Sequence, residues 1–172
     1  MRTIRMKLAA SAATLALVAC AEYSASGSGG FERDYFAART ALESGKYEKA
    51  VKKYDSMLQE AGPLQTRLRL EKAHALLRAD MYPQAAQEAA FVASAHTDNR
   101  RAAALAVVGT AEHRMAQEAM SNGDMGPQTI AHLNRSKAAL SEMLAKSPDM
   151  DPVGSMAQRL EMVQLSLKQL GG

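Results

Sequence analysis

Cysteine, tryptophan and strand-forming residues are scarce in this chain of 172 residues. Cys20 is the only cysteine, so the chain can form no intramolecular disulfide and offers no cysteine pair to a metal ion. Tryptophan is absent, aromatic residues make up 5% of the sequence, and β-branched residues are few. No stretch alternates apolar and polar residues as a half-buried strand does. These absences exclude a disulfide-stapled fold and favour an all-α protein.

An uncharged apolar run near the N-terminus is too short to cross a membrane. Residues 8–19 follow a start that contains three Arg or Lys residues, and small residues precede Cys20. A helix needs about 20 apolar residues to span the hydrocarbon core of a bilayer. A basic start, a short apolar segment and small residues before the cut are typical of a secretory signal, so we predict that residues 1–19 are a cleaved signal peptide.

A net basic charge is also absent once that signal is set aside. The whole chain has 21 Lys and Arg residues against 18 Asp and Glu residues, and three of the basic residues lie in the signal. The rest of the chain therefore has equal numbers of both signs, whereas nucleic-acid binding needs a persistent basic face. We expect no nucleic-acid partner.

The sequence Leu-Val-Ala-Cys, which ends at Cys20, resembles the lipobox of bacterial lipoproteins. The resemblance implies that the Cys20 thiol is acylated and that Cys20 becomes the first mature residue. It also implies stable membrane attachment, because several acyl chains hold a protein where a single chain does not. Ala21 follows the cysteine in place of Asp, which favours the outer membrane, with the domain facing the periplasm. The alternative is an ordinary signal peptide with an incidental cysteine near the cut.

Glycine and serine dominate the residues that follow the cysteine. Residues 20–30 contain little that could build a core, so we predict a lipidated cysteine and a flexible tether there. The remaining residues, 31–172, are long enough for one domain. Ala, Leu, Met, Glu, Gln, Lys and Arg dominate this part, and Gly, Pro, Asp and Asn interrupt it at regular places. The interruptions predict seven helices, at residues 32–44, 47–61, 64–79, 83–96, 99–120, 128–146 and 152–170.

Identical residues recur at a spacing of 35 within this helical part. Tyr47 and Tyr82 are separated by 35 residues, and so are Ala50 and Ala85. A tyrosine at the start of a helix can fill the junction with a neighbouring helix, and an alanine one turn later allows two helices to cross closely. Self-similarity at a period near 34, carried by these residue types, resembles tetratricopeptide repeats.

Small residues upstream and a tyrosine downstream extend the resemblance. Ala38 and Ala73 are also 35 residues apart, and Gly109 follows Ala73 by 36. A small residue at this position lets the second helix of a pair approach the first, and Tyr54 would pack toward the next repeat. The family implies an all-α, TPR-like solenoid of helical hairpins, with about three repeats and a C-terminal capping helix. A non-repeating helical bundle is the alternative.

Several residues depart from the family pattern. Asp34 and Arg69 occupy positions where the family prefers a bulky aromatic residue, and Lys72 occupies a position where it prefers Leu. Ser136 replaces the small apolar residue at the helix crossing of the third repeat.

Groupings that would support catalysis or metal binding do not appear in the sequence. The chain has no Gly-x-Ser-x-Gly elbow and no glycine-rich loop between a strand and a helix. No two histidines are spaced three or four residues apart, so none forms a metal-binding pair on a helix face. We therefore expect no enzymatic activity, no metal and no cofactor. The histidines are His74, His96, His113 and His132.

The resemblance to tetratricopeptide repeats implies a partner-binding groove lined by the first helix of each pair. The family register places Arg39, His74 and Thr110 where some members have the asparagines of a carboxylate clamp, so that clamp is missing. Bases, an aromatic and an aliphatic residue would suit a protein or peptide segment with acidic and apolar residues. The groove positions carried over by register are Tyr35, Arg39, Leu70, His74, Arg78, Thr110, His113 and Arg114.

The combined resemblances imply a membrane-anchored periplasmic scaffold for protein–protein interactions in an envelope assembly or secretion machine. The chain is most similar to the small repeat lipoproteins of tight-adherence (Tad) pilus systems. One alternative is the repeat lipoprotein of the outer-membrane β-barrel assembly complex, which usually has more repeats. An alternative of another class is a cell-wall hydrolase or metal-dependent enzyme, which would need paired carboxylates or converging histidines. A self-associating structural subunit is a third possibility, and the oligomeric state stays open.

Overall fold

The computed structural model describes residues 28–171, which contain seven α-helices and no strand. The prediction of an all-α protein is therefore confirmed. Two 3-10 turns, Gly62–Leu64 and Pro148–Met150, lie between helices. The helices are α1 (Ser28–Glu43), α2 (Tyr47–Met57), α3 (Gln65–Arg78), α4 (Tyr82–Ala95), α5 (Asn99–Ser121), α6 (Pro127–Lys146) and α7 (Ser155–Gln169).

The chain divides into two units, residues 1–33 and 34–172. Of the first unit, the structure describes only residues 28–33, which belong to α1. The predicted signal peptide, the lipidation site at Cys20 and the tether up to residue 27 lie outside the described residues. The start of α1 at Ser28 corrects the predicted tether, because residues 28–30 are helical. N–H groups in the first turn of a helix need no intrahelical partner, so two glycines are tolerated there better than in a helix interior.

Two other helices are shorter than predicted, because local backbone geometry ends or starts them. Helix α2 ends at Met57 rather than at residue 61, where the N–H of Leu58 donates to the carbonyl of Asp55, three residues earlier, at 3.3 Å. Helix α7 begins at Ser155 rather than at residue 152, since Gly154 has a φ of 69°. The carboxylate of Asp151 accepts hydrogen bonds from the N–H groups of residues 156 and 157, at 3.0 and 2.9 Å, and so caps α7.

Helices that follow one another in the chain pack against each other from α2 to α7, and α5 also contacts α3 and α7. The main apolar core lies between α3, α4, α5 and α6, and it includes Leu76, Tyr82, Val92, Val107 and Met143. A second apolar cluster joins α5 and α6 to the last helix. It contains Ala116, Leu133, Val163 and Leu167.

The turns of the first two hairpins have the same geometry at positions 35 residues apart. Gly45 and Asp80 have φ values of 76° and 58°, the left-handed region. The next residues, Lys46 and Met81, each donate their N–H to the carbonyl five residues earlier, at 2.8 and 2.9 Å. Both then have a φ of −87°, with ψ values of 61° and 59°. Asp80 replaces glycine here, and its carboxylate accepts a hydrogen bond from the Tyr82 hydroxyl.

The third hairpin begins its turn in the same way but is longer. Gly123 has a φ of 81°, and the N–H of Asp124 donates to the carbonyl of Ala119 at 2.9 Å. Helix α5 has 23 residues against 14 in α3, and α6 has 20 against 14 in α4. Because a helical turn takes 3.6 residues, this hairpin is extended by about two turns.

The small residues that the repeat pattern selected lie at buried positions. Ala38, Ala73, Ala50 and Ala85 are fully buried. At Gly109, an added Cβ would lie 2.5 Å from Cγ of Leu140, so the α5–α6 crossing requires glycine. The departure at Ser136 is satisfied locally, because its hydroxyl donates to the Gly109 carbonyl at 2.7 Å.

Ion pairs occupy the two positions of α3 where the family prefers apolar residues. Arg69 pairs with Glu88 of α4 at 2.7 Å, and its guanidinium lies 4.3 Å from the ring centroid of Phe91. Lys72 bridges Glu88 and Asp55 of α2, both at 2.7 Å. The departures are thus accommodated because charged contacts join α2, α3 and α4 there.

Candidate functional site

Glu71 of α3 accepts hydrogen bonds from polar side chains of two other helices, α1 and α2. Its carboxylate accepts hydrogen bonds from the Tyr35 hydroxyl at 2.8 Å, the Tyr54 hydroxyl at 2.9 Å and Arg39 Nη1 at 2.9 Å. Burial raises the pKa of the Glu71 carboxyl, but the bonds from Arg39, Tyr35 and Tyr54 outweigh it and hold the pKa below its usual value. Glu71 is therefore an ionised, partly buried acceptor between α1, α2 and α3.

This network decides the role of two predicted groove residues. Tyr35 and Arg39 face Glu71, and Arg39 also pairs with Glu43 at 2.9 Å. A partner would have to compete with these internal bonds to engage either side chain. The observed contacts of both residues therefore join α1 to α3. Glu71 itself was missed by the sequence analysis, since its partners lie 17 to 36 residues away.

Two other predicted residues on α3 differ in exposure. Leu70 is partly buried and packs against the main apolar core. His74 is exposed.

At two successive junctions between hairpins, an arginine packs over a tyrosine of the preceding hairpin. The arginine lies on the first helix of its hairpin, and the tyrosine is the first residue of the second helix of the preceding one. Arg78 lies 5.0 Å from the ring centroid of Tyr47 and donates to its hydroxyl at 2.5 Å. Arg114 lies 5.5 Å from the ring centroid of Tyr82 and donates to its hydroxyl at 3.2 Å. The same cation–π contact therefore recurs at successive junctions, and it holds both guanidiniums at the turn edge of the hairpins.

Two adjoining clefts open beside these pairs. The first has a volume of about 540 Å³ and the second about 290 Å³. They share Arg78 and Asp80. The first cleft is lined by Gly45, Lys46, Tyr47, Glu48, Lys49, Arg78, Ala79 and Asp80. The second is lined by Leu77, Arg78, Asp80, Tyr82, Thr110, Arg114 and Arg159.

His113 is a correction to the predicted groove, because α7 covers it. The side chain is only 1% exposed, and its Nδ1 lies 3.3 Å from Nη1 of Arg159. Burial, followed by the charges of Arg159 and Arg114, lowers the pKa of His113 to about 4. His113 is thus neutral at pH 7, so that its Nδ1 can accept from Arg159 behind the second cleft.

Arg159 is a cleft residue that the sequence analysis did not select. It lies on the last helix, outside the repeat register, so no spacing pointed to it. Thr110, which was selected, lines the same cleft and contacts Met156 of that helix at 3.9 Å. The structure thus brings Arg78, Thr110 and Arg114 of the predicted set together with Arg159.

The described residues offer binding groups and no metal-binding cluster. Between residues 28 and 171, no three His, Cys, Asp or Glu side chains are placed to hold a metal ion. None of the helices in that range is long and apolar enough to span a bilayer. The exposed guanidiniums of Arg78 and Arg114 are groups that bind oxyanions.

Comparison with known proteins adds no relative. No model of a known protein family matches the chain. No curated protein and no solved structure matches it at a significant level.

Proposed function

We propose that the chain is a lipid-anchored, periplasm-facing scaffold that docks a protein partner. Its helical hairpins would form a TPR-like solenoid, and α7 would serve as the cap. The turns at Gly45 and Asp80, 35 residues apart with matching hydrogen bonds and dihedral angles, support equivalent repeats. The exposed turn edge supports docking, since it carries cationic and aromatic side chains.

The observation that carries the proposal is the recurrence of one arginine–tyrosine pair beside two adjoining clefts. A contact that only stabilised the fold would not need to lie beside a cleft, whereas Arg78 lines both clefts and its side chain is exposed. Repeating the pair at Arg114 and Tyr82 extends a single type of surface across successive hairpins. An extended surface of this kind suits a segment of another protein better than a small molecule.

The sequence resemblances support the proposed location of this scaffold in the cell envelope. The lipobox-like stretch ending at Cys20 supports a lipid anchor, and similarity to Tad pilus lipoproteins supports an envelope assembly or secretion machine. A Cys20→Ser chain should leave the membrane fraction after cell breakage while the unchanged chain stays in it. Equal membrane association of both chains would contradict the anchor.

Crosslinking in intact cells tests the docking function. We expect the unchanged chain to give a defined crosslinked partner, and Arg78→Glu/Arg114→Glu to lose it. The matched control is Lys137→Glu/Lys168→Glu, which reverses two charges at exposed positions away from the clefts. Loss of the partner with both double variants, or with neither, would contradict docking at the clefts. Size-exclusion chromatography of each variant checks that the fold is retained.

A further inference from the structure

Positive charge is unbalanced along the turn edge of the hairpins. We call Lys46, Lys49, Arg78, Arg114 and Arg159 the basic edge. Together with these five cations, the two clefts hold only the carboxylates of Glu48 and Asp80. Several basic side chains elsewhere have carboxylate partners, for example Arg101 with Glu142 at 2.7 Å. The excess is local, because the chain beyond the predicted signal has equal numbers of both signs.

Arg159 is the least satisfied member of the basic edge. Its Nε is buried and makes no hydrogen bond. Within residues 28–171 no carboxylate forms an ion pair with Arg78, Arg114 or Arg159, while most other interhelical arginines have one. Burial, followed by the charge of Arg114, lowers the pKa of Arg159. A half-buried guanidinium without an anion is costly, and an incoming oxyanion would remove that cost.

We propose that the basic edge binds an acidic segment of the partner protein, with a carboxylate of that segment paired to Arg159 in the second cleft. This inference rests on the proposed docking function and adds the chemistry of the partner. Arg78 belongs to both clefts, so one extended segment can contact Lys46 and Lys49 at one end and Arg114 and Arg159 at the other.

The lining of the second cleft favours carboxylates over phosphates. Asp80 lies in the cleft, and its negative charge opposes a dianionic phosphate more than a singly charged carboxylate. The partly buried side chain of Leu77 supplies apolar contact beside the arginines. Carboxylates next to apolar side chains match this mixed lining, as in an acidic stretch of polypeptide.

The test measures binding of a fluorescent hexaglutamate peptide to the full chain in a non-ionic detergent, by anisotropy at several salt concentrations. We expect binding that weakens as salt is added, and no binding of hexaglutamine. Arg159→Gln, Arg114→Gln and Arg78→Gln should each weaken hexaglutamate binding about tenfold, since each removes one charge-assisted hydrogen-bonding group. Asp80→Asn should strengthen it.

The matched control is Lys168→Gln, which removes a charge from the same helix as Arg159 at an exposed position. It should bind hexaglutamate as the unchanged chain does. Circular dichroism checks the fold, and Arg78→Gln keeps the test valid if Arg159→Gln unfolds, because Arg78 is exposed. Equal weakening by Lys168→Gln and Arg78→Gln would overturn the inference.

Competition separates acidic protein segments from other oxyanions. Inorganic phosphate and glycerol 3-phosphate should displace hexaglutamate no better than an inert salt at the same ionic strength. Full displacement of hexaglutamate by either compound would make the edge a phosphate or lipid-headgroup site and overturn the inference. If hexaglutamate fails to bind while crosslinking still recovers a partner that requires Arg78 and Arg114, the docking function stands and the acidic segment is rejected.

Discussion

The junction between α1 and α3 and the crossing of α5 with α6 have opposite chemistry. The first is polar, because Glu71 accepts hydrogen bonds from Tyr35, Arg39 and Tyr54. The second depends on volume, because Gly109 leaves space for the side chain of Leu140. One helical-hairpin architecture is therefore held together in two ways, and the two regions should respond differently to charge removal and to added volume.

Removing the acceptor of the polar junction should have the largest effect. Glu71→Ala leaves Arg39 and two tyrosine hydroxyls without their shared partner, so we expect a loss of about 3 kcal/mol in the free energy of unfolding. Glu43→Ala removes the exposed partner of Arg39 and should cost less than about 0.5 kcal/mol. Chemical denaturation measures both values. Similar losses for Glu71→Ala and Glu43→Ala would show that the junction does not depend on Glu71.

Adding volume to the apolar crossing should cost somewhat less. In Gly109→Ala, the new Cβ would lie 2.5 Å from Cγ and 2.7 Å from Cδ2 of Leu140, so we expect a loss of about 2 kcal/mol. Leu140→Ala removes these atoms, and the two substitutions together should cost at least about 1 kcal/mol less than their separate losses combined. Additive losses in this double-mutant cycle would contradict a steric limit at the crossing.

The buried histidine should make the α5–α7 contact sensitive to acid. The pKa of His113 is lowered to about 4, whereas an unfolded histidine titrates near 6.5. Between these values the unfolded chain binds more protons, so the contribution of His113 to stability is complete above pH 6.5 and is lost as the pH falls toward 4. We expect the unchanged chain to lose roughly 2 kcal/mol more than His113→Gln between pH 7 and pH 4. Parallel stability curves for the two chains would contradict this assignment.

Substitutions in the turns should cause the smallest loss of stability, and the loss should be equal in the first and third hairpins. Gly45 and Gly123 have φ values of 76° and 81° in turns with the same hydrogen bonds, so replacing either with Ala should cost about 1 kcal/mol. Gly30, in the first turn of α1, has no positive φ, and a Cβ added there would meet no atom within 4 Å, so Gly30→Ala serves as the control with a smaller loss expected. Thermal unfolding of the three variants measures this, and unequal losses at Gly45 and Gly123 would separate the third hairpin from the first.

Local signals made the helices predictable from the sequence. Gly45 and the loop before Pro127 interrupt helical composition, and the structure has breaks at both places. The equivalence of Tyr47 and Tyr82 was also readable, because each starts a helix after a matching turn. These features depend on residues that are neighbours in the sequence, so the local sequence is enough to predict them.

Features that depend on distant partners were not predictable. Nothing near Glu71 in the sequence indicates that Tyr35, 36 residues away, donates to it. Repeat register placed His113 in the groove, but α7 covers it, and only the packing of that helix reveals this. Arg159 was not predicted for the same reason, since it reaches the cleft from α7, a helix outside the predicted repeats.

Site-directed photocrosslinking in intact cells tests docking at the basic edge most directly. A photoreactive residue would replace Lys46, which lines the first cleft, or Lys137, an exposed lysine of α6 outside both clefts. Docking at the basic edge predicts one defined protein adduct from position 46 that disappears when Arg78→Glu/Arg114→Glu is added, and no such adduct from position 137. An adduct from position 137 alone, or one at position 46 that persists in the double variant, would contradict it.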